Sequence, residues 1–96
     1  MKGAIATVEI YAARGDARVD RLSLVVGTPE RTASGDGWQC RVALANRVRP
    51  ETVVGRDSFE ALCVALDRAR VWLAELRREG HTLTRDRAGT IPYELP

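Results

Sequence analysis

The sequence has few of the side chains that carry metal-dependent or nucleophilic chemistry. Histidine occurs once in the 96 residues and cysteine twice, and the spacing of Cys40, Cys63 and His81 matches no zinc motif. A catalytic histidine needs a nucleophile or an orienting carboxylate, whereas His81 follows Gly80, where a histidine commonly contacts the last carbonyls of a helix. We therefore expect no catalytic, metal-binding or cofactor-binding residue, and we predict that the protein is not an enzyme.

Long apolar runs and secretion signals are also missing. Glu9 interrupts the apolar N-terminal stretch too early for the core of a signal peptide, and no run approaches the roughly 20 apolar residues of a membrane helix. We therefore expect a cytoplasmic protein with no membrane partner and no native disulfide. The Gly35-Asp36-Gly37 segment lacks the following helix of a phosphate loop, so no small-molecule ligand can be identified.

Charge of one sign is not in excess. The 15 basic and 13 acidic residues leave a net charge of +2, which is too weak to imply nucleic acid as a partner. A modest basic patch would form if Arg41, Arg47 and Arg49 converged, but it lacks an adjacent aromatic platform on which bases would stack. A nucleic-acid-associated regulatory protein that uses this patch is therefore the alternative function.

Alternating apolar residues predict four β-strands, over residues 4–12, 21–26, 38–44 and 52–54. The third strand has the cleanest alternation, with Trp38, Cys40, Val42 and Leu44 predicted to face inward. Pro29 ends the second strand, because proline cannot continue a central ladder. The polar segment 30–37 is expected to form an exposed loop.

A long amphipathic helix is predicted over residues 58–79. Asp57 and Glu60 form a capping box at its start, and Gly80 is a favoured residue just past a helix end. Apolar residues recur at alternating spacings of three and four positions, which places them on one stripe of the helix that is expected to face the sheet. The members of that stripe are Phe59, Leu62, Leu66, Ala69, Leu73 and Leu76.

The order of these elements predicts the fold class. Residues 82–84 are expected to add an edge strand, and the tail 85–96 is expected to be extended. Strands followed by a helix, rather than alternating with helices, predict an α+β fold in which the sheet is mainly antiparallel. We therefore expect one domain, with four to five strands and one long C-terminal helix packed on one face.

Three segments occur in an order that resembles a family of small bacterial proteins of unknown function. They are Val26-Gly27-Thr28-Pro29 at a strand end, Trp38-x-Cys40 in a strand, and Gly55-x-Asp57-Ser58-x-x-Ala61-Leu62 at the opening of a long helix. Members of that family typically carry glutamine before the Ala-Leu pair, where this chain has Glu60. The resemblance spans roughly residues 20 to 84; it implies a shared fold and brings no established activity.

The helix side away from the apolar stripe is the predicted interaction surface. Val64 and Val71 are seven residues apart and nearly superposed along the helix, with Ala61, Arg68 and Glu75 on the same side. Trp72 is expected at the flank, stacked by the arginine, and this composition is typical of an interface centre. The alternative is an ordinary solvated face with scattered valines.

We predict that this surface binds another protein chain, either a second copy or a different partner. The binding residues of the prediction are Val64, Arg68, Val71, Trp72 and Glu75. The predicted function is that of a non-catalytic protein-interaction module. An immunity or antitoxin-type protein that binds a partner protein is one concrete form of it.

Overall fold

The computed structural model describes residues 3–15 and 18–96, which form one antiparallel sheet and one helix. The α+β class is therefore confirmed, and the sheet has six strands in these ranges instead of four to five. The elements are β1 (Ala4–Ala13), β2 (Asp20–Gly27), β3 (Glu30–Arg31), β4 (Trp38–Ala45), β5 (Val48–Gly55), α1 (Ser58–Arg78) and β6 (Thr82–Thr84).

The strands form an antiparallel meander whose last strand returns to the first. β2 pairs with β1 and β4, and β5 pairs with β4. The chain then crosses one face of the sheet as α1, and β6 pairs with Tyr11, Ala12 and Ala13 at the end of β1. This connection places β6, and the tail that follows it, on the β1 side of the sheet.

Two features of the meander differ from the sequence prediction. Glu30 and Arg31 pair with the start of β4, so the predicted loop 30–37 begins with a short strand. The strand predicted over 52–54 extends back to Val48, because the turn before it is a tight hairpin. Asn46 supplies that turn with a φ of 73°, a conformation that asparagine tolerates better than most residues.

The two ends of α1 form as their local residues predict. The Asp57 carboxylate accepts a hydrogen bond from the Glu60 backbone N–H at 2.7 Å. The Glu60 carboxylate reaches one residue further back than a capping box requires, and it accepts from the Arg56 guanidinium and backbone N–H, both at 2.8 Å. These bonds, that of the guanidinium first, hold the pKa of Glu60 below the ordinary value. At the other end, Gly80 has a φ of +97°, and the His81 backbone N–H donates to the Leu76 carbonyl at 3.0 Å. This is the pattern of a Schellman C-cap.

The helix turns a different side to the sheet from the one predicted. Phe59, predicted to face inward, is 81% exposed, and Leu62 and Leu66 are only half-buried. Trp72, predicted at the outer flank, is 4% exposed, and Ala61, predicted outward, is fully buried. The predicted inward stripe was therefore wrong in the first half of the helix, whereas its last three members, Ala69, Leu73 and Leu76, are buried as predicted. The helix residues that are buried are Ala61, Ala65, Ala69, Trp72, Leu73 and Leu76.

Close approach between β5 and the helix explains this rotation. Ala61, Ala65 and Ala69 have no exposed surface, so the helix backbone lies near the sheet along the whole alanine stripe. A Cβ atom on Gly55 would lie 2.8 Å from the Glu60 carbonyl carbon, and closer still to the Ala61 backbone nitrogen. Larger side chains cannot occupy such a contact, and they are displaced to the flank of the helix.

The helix lies over β4 and β5 and makes few contacts with β2. The C-terminal tail covers part of the remaining sheet. Tyr93 is buried, and its backbone N–H donates to the Leu83 carbonyl at 3.0 Å. The guanidinium groups of Arg77 and Arg70 donate to the carbonyls of Tyr93 and Pro96 at 2.6 and 2.9 Å. The predicted extended tail is thus tied to the helix and to β6.

We expect Gly55→Ala to destabilise the fold by about 1–3 kcal/mol or more, because the added methyl group meets rigid helix backbone. Val54→Ala is the matched control, since its side chain is exposed on the same strand and exposed substitutions usually change stability by less than about 0.5 kcal/mol. The measurement is the urea midpoint at constant m-value. Equal midpoints for the two variants would contradict the close contact.

We expect Leu73→Ala to cost about 2–5 kcal/mol of unfolding free energy, because Leu73 is fully buried. Leu66→Ala should cost clearly less, since Leu66 is half-buried at the edge of the core. Chemical unfolding of the two variants compares the sites directly. A loss for Leu66→Ala equal to that for Leu73→Ala would show that the helix is rotated as the sequence stripe predicts.

Candidate protein-interaction site

The residues predicted to bind a partner share the helix flank that lies beside β5. The Arg68 guanidinium donates to both carboxylate oxygens of Glu51 on β5 at 3.2 and 3.3 Å. Its central carbon lies 5.5 Å from the centre of the Trp72 ring, so the expected stacking is present. The ring itself belongs to the core. Val64 is half-buried, and Val71 and Glu75 are exposed.

This flank therefore lacks the accessible aromatic residue that the prediction gave it. Its arginine is already engaged with a carboxylate, and the most exposed apolar side chain there is Val71, at 41%. Binding by Val64, Arg68, Val71 and Glu75 stays a prediction, and Trp72 contributes to it only as the buried surface on which Arg68 rests.

The three arginines of the alternative function do not present one uncompensated patch. Arg47 forms an ion pair with Glu79 at the end of α1. Arg41 and Arg49 lie exposed on β4 and β5, and neither has a salt-bridge partner among the described residues. The remaining positive charge consists of two side chains on neighbouring strands, which is little for a phosphate backbone.

His81 and Cys40 have structural contacts, and Cys63 is an exposed free thiol. The His81 Nδ1 atom lies 3.2 Å from the Leu76 carbonyl oxygen, which satisfies part of the helix end. Cys40 is buried on β4 and its thiol donates to the Gly27 carbonyl at 3.2 Å, and burial raises the pKa of this thiol. Cys63 is exposed on α1, and both cysteines are free. Within residues 3–15 and 18–96, no three potential metal ligands lie together.

The feature that stands out is the free edge of β1. β6 pairs only with the last residues of β1, starting at Tyr11. In the described part of the chain, residues Ala4–Ile10 pair with β2 alone. Ala4, Ile5, Ala6 and Thr7 are all exposed, although successive residues of a strand point to opposite faces. Nothing described therefore covers either face at this end. We call residues Ala4–Ile10 the open edge.

An apolar cleft runs beside the open edge, between β1, β2, the helix and the tail. Its volume is about 170 Å³, and an apolar cavity of about 150 Å³ is known to hold a benzene ring. We call this space the β1 cleft. It is lined mainly by Ala6, Val8, Leu24, Val26, Leu66 and Leu95.

The apolar surface continues from the β1 cleft towards the start of the helix. Leu66, Leu62 and Phe59 follow one another along the helix flank at spacings that place them on one side. Phe59 and Leu62 line a second, shallower depression together with Trp38 and Pro29. This flank is the sequence stripe that was predicted to be the core. The periodic signal was therefore present, but its assignment to the interior concealed the site.

Asp86 holds the turn that brings the tail to the cleft. Its carboxylate accepts hydrogen bonds from the Thr90 backbone N–H at 3.0 Å, from the Thr90 hydroxyl at 2.6 Å and from the Ile91 backbone N–H at 2.8 Å. These bonds, that of the Thr90 side chain first, lower the pKa of Asp86. The carboxylate thus stabilises the geometry that places Tyr93 and Leu95.

We expect acid to loosen the tail. Because the folded-state pKa of Asp86 lies below its ordinary value of 3.8, its contribution is complete above that value and is lost as the pH falls through the folded pKa. Asp86→Asn should displace the Tyr93 ring signals in NMR spectra already at neutral pH, whereas Asp20→Asn, an exposed control on β2, should leave them unchanged. Native Tyr93 signals in Asp86→Asn would refute this role.

Comparison of the chain with protein-family models, with curated proteins and with solved structures gave no significant match. The resemblance to a family of small bacterial proteins therefore stays a prediction. In the described residues, the helix is not long and apolar enough to cross a membrane.

Proposed function

We propose that the protein is a non-catalytic protein-interaction module that binds an extended polypeptide segment at the open edge and in the β1 cleft. The observation that carries this proposal is the combination of a strand with one unpaired side and an apolar cleft directly beside it. Either feature alone has ordinary explanations. Together they provide the two parts of strand addition, which are main-chain hydrogen bonds and pockets for alternate side chains.

The main-chain part rests on the composition of the open edge. Backbone N–H and C=O groups on the unpaired side of a strand are ready to pair with another chain, and proteins usually guard them with lysine, proline or inward-pointing charges. The segment Ala4–Ile10 contains no lysine and no proline. Its one charge, Glu9, is paired with Arg21 of β2 at 3.3 Å. The open edge is thus an unguarded pairing site.

The side-chain part rests on the apolar flank. Burying an exposed Leu or Phe side chain contributes roughly 1.5–3 kcal/mol. On this flank Phe59 is 81% exposed, and Leu62 and Leu66, which are half-buried, extend its apolar surface. An incoming strand directs every second side chain towards the helix side of the sheet, which is where the β1 cleft lies. Apolar residues at alternate positions are therefore the recognition pattern that this surface favours.

The immunity or antitoxin-type role is the biological form that we propose for this binding, and the cytoplasm is the compartment that we predict. Both depend on the partner's identity, and both are tested once the partner is identified. An immunity role requires that the bound partner is toxic and that its toxicity is suppressed by this protein but not by a variant with a blocked cleft.

Site-specific photo-crosslinking in the producing cells tests the surface. Ile5 and Val71 are suitable positions, because they are similarly exposed, at 49% and 41%, on the open edge and on the originally predicted flank. We expect Ile5→p-benzoylphenylalanine to yield a protein adduct that mass spectrometry identifies, and Val71→p-benzoylphenylalanine to yield none. Ala6→Lys, a charge at the mouth of the cleft, should abolish the adduct, and purified components should reproduce the binding.

Four outcomes would contradict the proposal. Adducts from position 71 alone would show that the flank of Val64, Arg68, Val71 and Glu75 is the binding surface, as the sequence predicted. Adducts with nucleic acid would favour the regulatory alternative. If position 5 gives no protein adduct, the open edge and the cleft do not bind protein. The same conclusion follows if the adduct from position 5 still forms in Ala6→Lys.

A further inference from the structure

We propose that the occupant of the open edge is β1 of a second copy of this chain, paired antiparallel about a twofold axis at Thr7. This inference rests on the proposed function and names its partner. It predicts a symmetric dimer in which two sheets join through their β1 strands into one continuous sheet.

The limits of the open edge determine where the axis lies. The strand begins at Ala4, and β6 occupies the free side of β1 from Tyr11 onward. Thr7 is the midpoint of the segment between these limits. A twofold axis at Thr7 therefore pairs the whole open edge with itself, whereas an axis closer to Tyr11 would drive the second strand into β6. The register shift of the β1–β2 ladder lies within the open edge, between Ala4 and Ala6. An axis at Thr7 keeps the central pairs of Ala6, Thr7 and Val8 in the regular part of the strand.

The pairs created by this axis are complementary in size and polarity. Thr7 lies opposite Thr7 of the second copy, and threonine pairs are favourable across antiparallel strands. Ala6 lies opposite Val8, so a small side chain meets a larger one on the cleft side. In an interface of this symmetry every such pair occurs twice, and the match is therefore present on both sides of the axis.

Charge does not oppose the pairing. Glu9 lies opposite Ile5, so the two Glu9 carboxylates of the dimer are at opposite ends of the paired segment. Each is neutralised by Arg21 of its own chain. The like-charge contacts that usually prevent edge-to-edge pairing are thus missing from this register.

The cleft favours a second copy as well. A twofold axis perpendicular to the sheet leaves both helices on the same face, so the two β1 clefts meet at the seam between the strands. Ala6 and Val8, which line the cleft in one chain, then lie next to the same residues of the other. The dimer removes from water an apolar surface that the monomer leaves open.

The test uses a cysteine at the axis. Directly opposite residues of antiparallel strands have Cα atoms about 4.5 or 5.5 Å apart, and both distances lie within the range of about 4.4–6.8 Å that a disulfide spans. In a Cys63→Ser background, which removes the exposed native thiol, Thr7→Cys should form a covalent dimer under mild oxidation. Glu9→Cys is the matched control. It is on the same strand and also exposed, but it faces Ile5 and should stay monomeric.

Sedimentation equilibrium of the unmodified protein provides the second measurement. We expect a reversible dimer, and Ala6→Lys should weaken it by about a hundredfold or more, because the lysine would be buried opposite Val8. Ala6 is exposed in the single chain, so circular dichroism should show an unchanged fold. Dimers of undiminished strength in this variant would overturn the inference.

The remaining outcomes separate this inference from the proposed function. If Thr7→Cys and Glu9→Cys form covalent dimers equally well, the dimers result from random collision. If the protein is monomeric and Thr7→Cys forms no covalent dimer, no second copy pairs at the open edge. Each result overturns the inference. If the adduct from position 5 then contains only a different protein, the proposed function stands alone. If there is no protein adduct either, both fail.

Discussion

The contact between Gly55 and the first turn of α1 is the constraint on which the rest of this structure depends. Because glycine has no side chain, β5 passes against the backbone of Glu60 and Ala61, and the helix enters directly over β5. The buried alanines Ala65 and Ala69 then keep it close to the sheet over its first half, and Trp72, Leu73 and Leu76 are buried under its second half. Where the helix lies this close, it has room only for small residues beneath it, and the larger ones lie at its side.

The position of the helix determines which part of the sheet it leaves uncovered. The helix covers β4 and β5, and β1 receives its cover from the tail. Arginine side chains of the helix bind tail carbonyls at Tyr93 and Pro96, and the Asp86 turn fixes the direction from which the tail arrives. Ile10 and Ala12 are buried, whereas Ala4–Thr7 stay exposed although Leu95 of the tail lines the cleft beside Ala6. The cleft is thus the part of the inner face that neither helix nor tail fills.

The surface proposed for binding is therefore a consequence of packing rather than of any single motif. Because the alanine stripe faces the sheet, Phe59 lies outside the core and Leu66 lies at its edge, and this displacement forms the apolar flank. The short β6 strand, which ends its pairing at Tyr11, forms the open edge. A longer β6 would cover the edge, and a helix placed closer to β1 would fill the cleft.

The sequence by itself determined the features that depend on neighbouring residues. The α+β class follows from the order of two-residue and 3.6-residue periods, and the ends of the helix follow from Asp57 and Gly80, whose capping geometry involves one turn of chain. The tertiary structure alone decided the rotation of the helix, the burial of Trp72 and the exposure of Phe59. Periodicity shows that a helix has an apolar stripe, but the first half of this helix offers two, one of Phe59, Leu62 and Leu66 and one of Ala61 and Ala65. The choice between them depends on how closely the helix approaches β4 and β5, and that distance is set by packing against strands whose side chains no periodicity within the helix encodes.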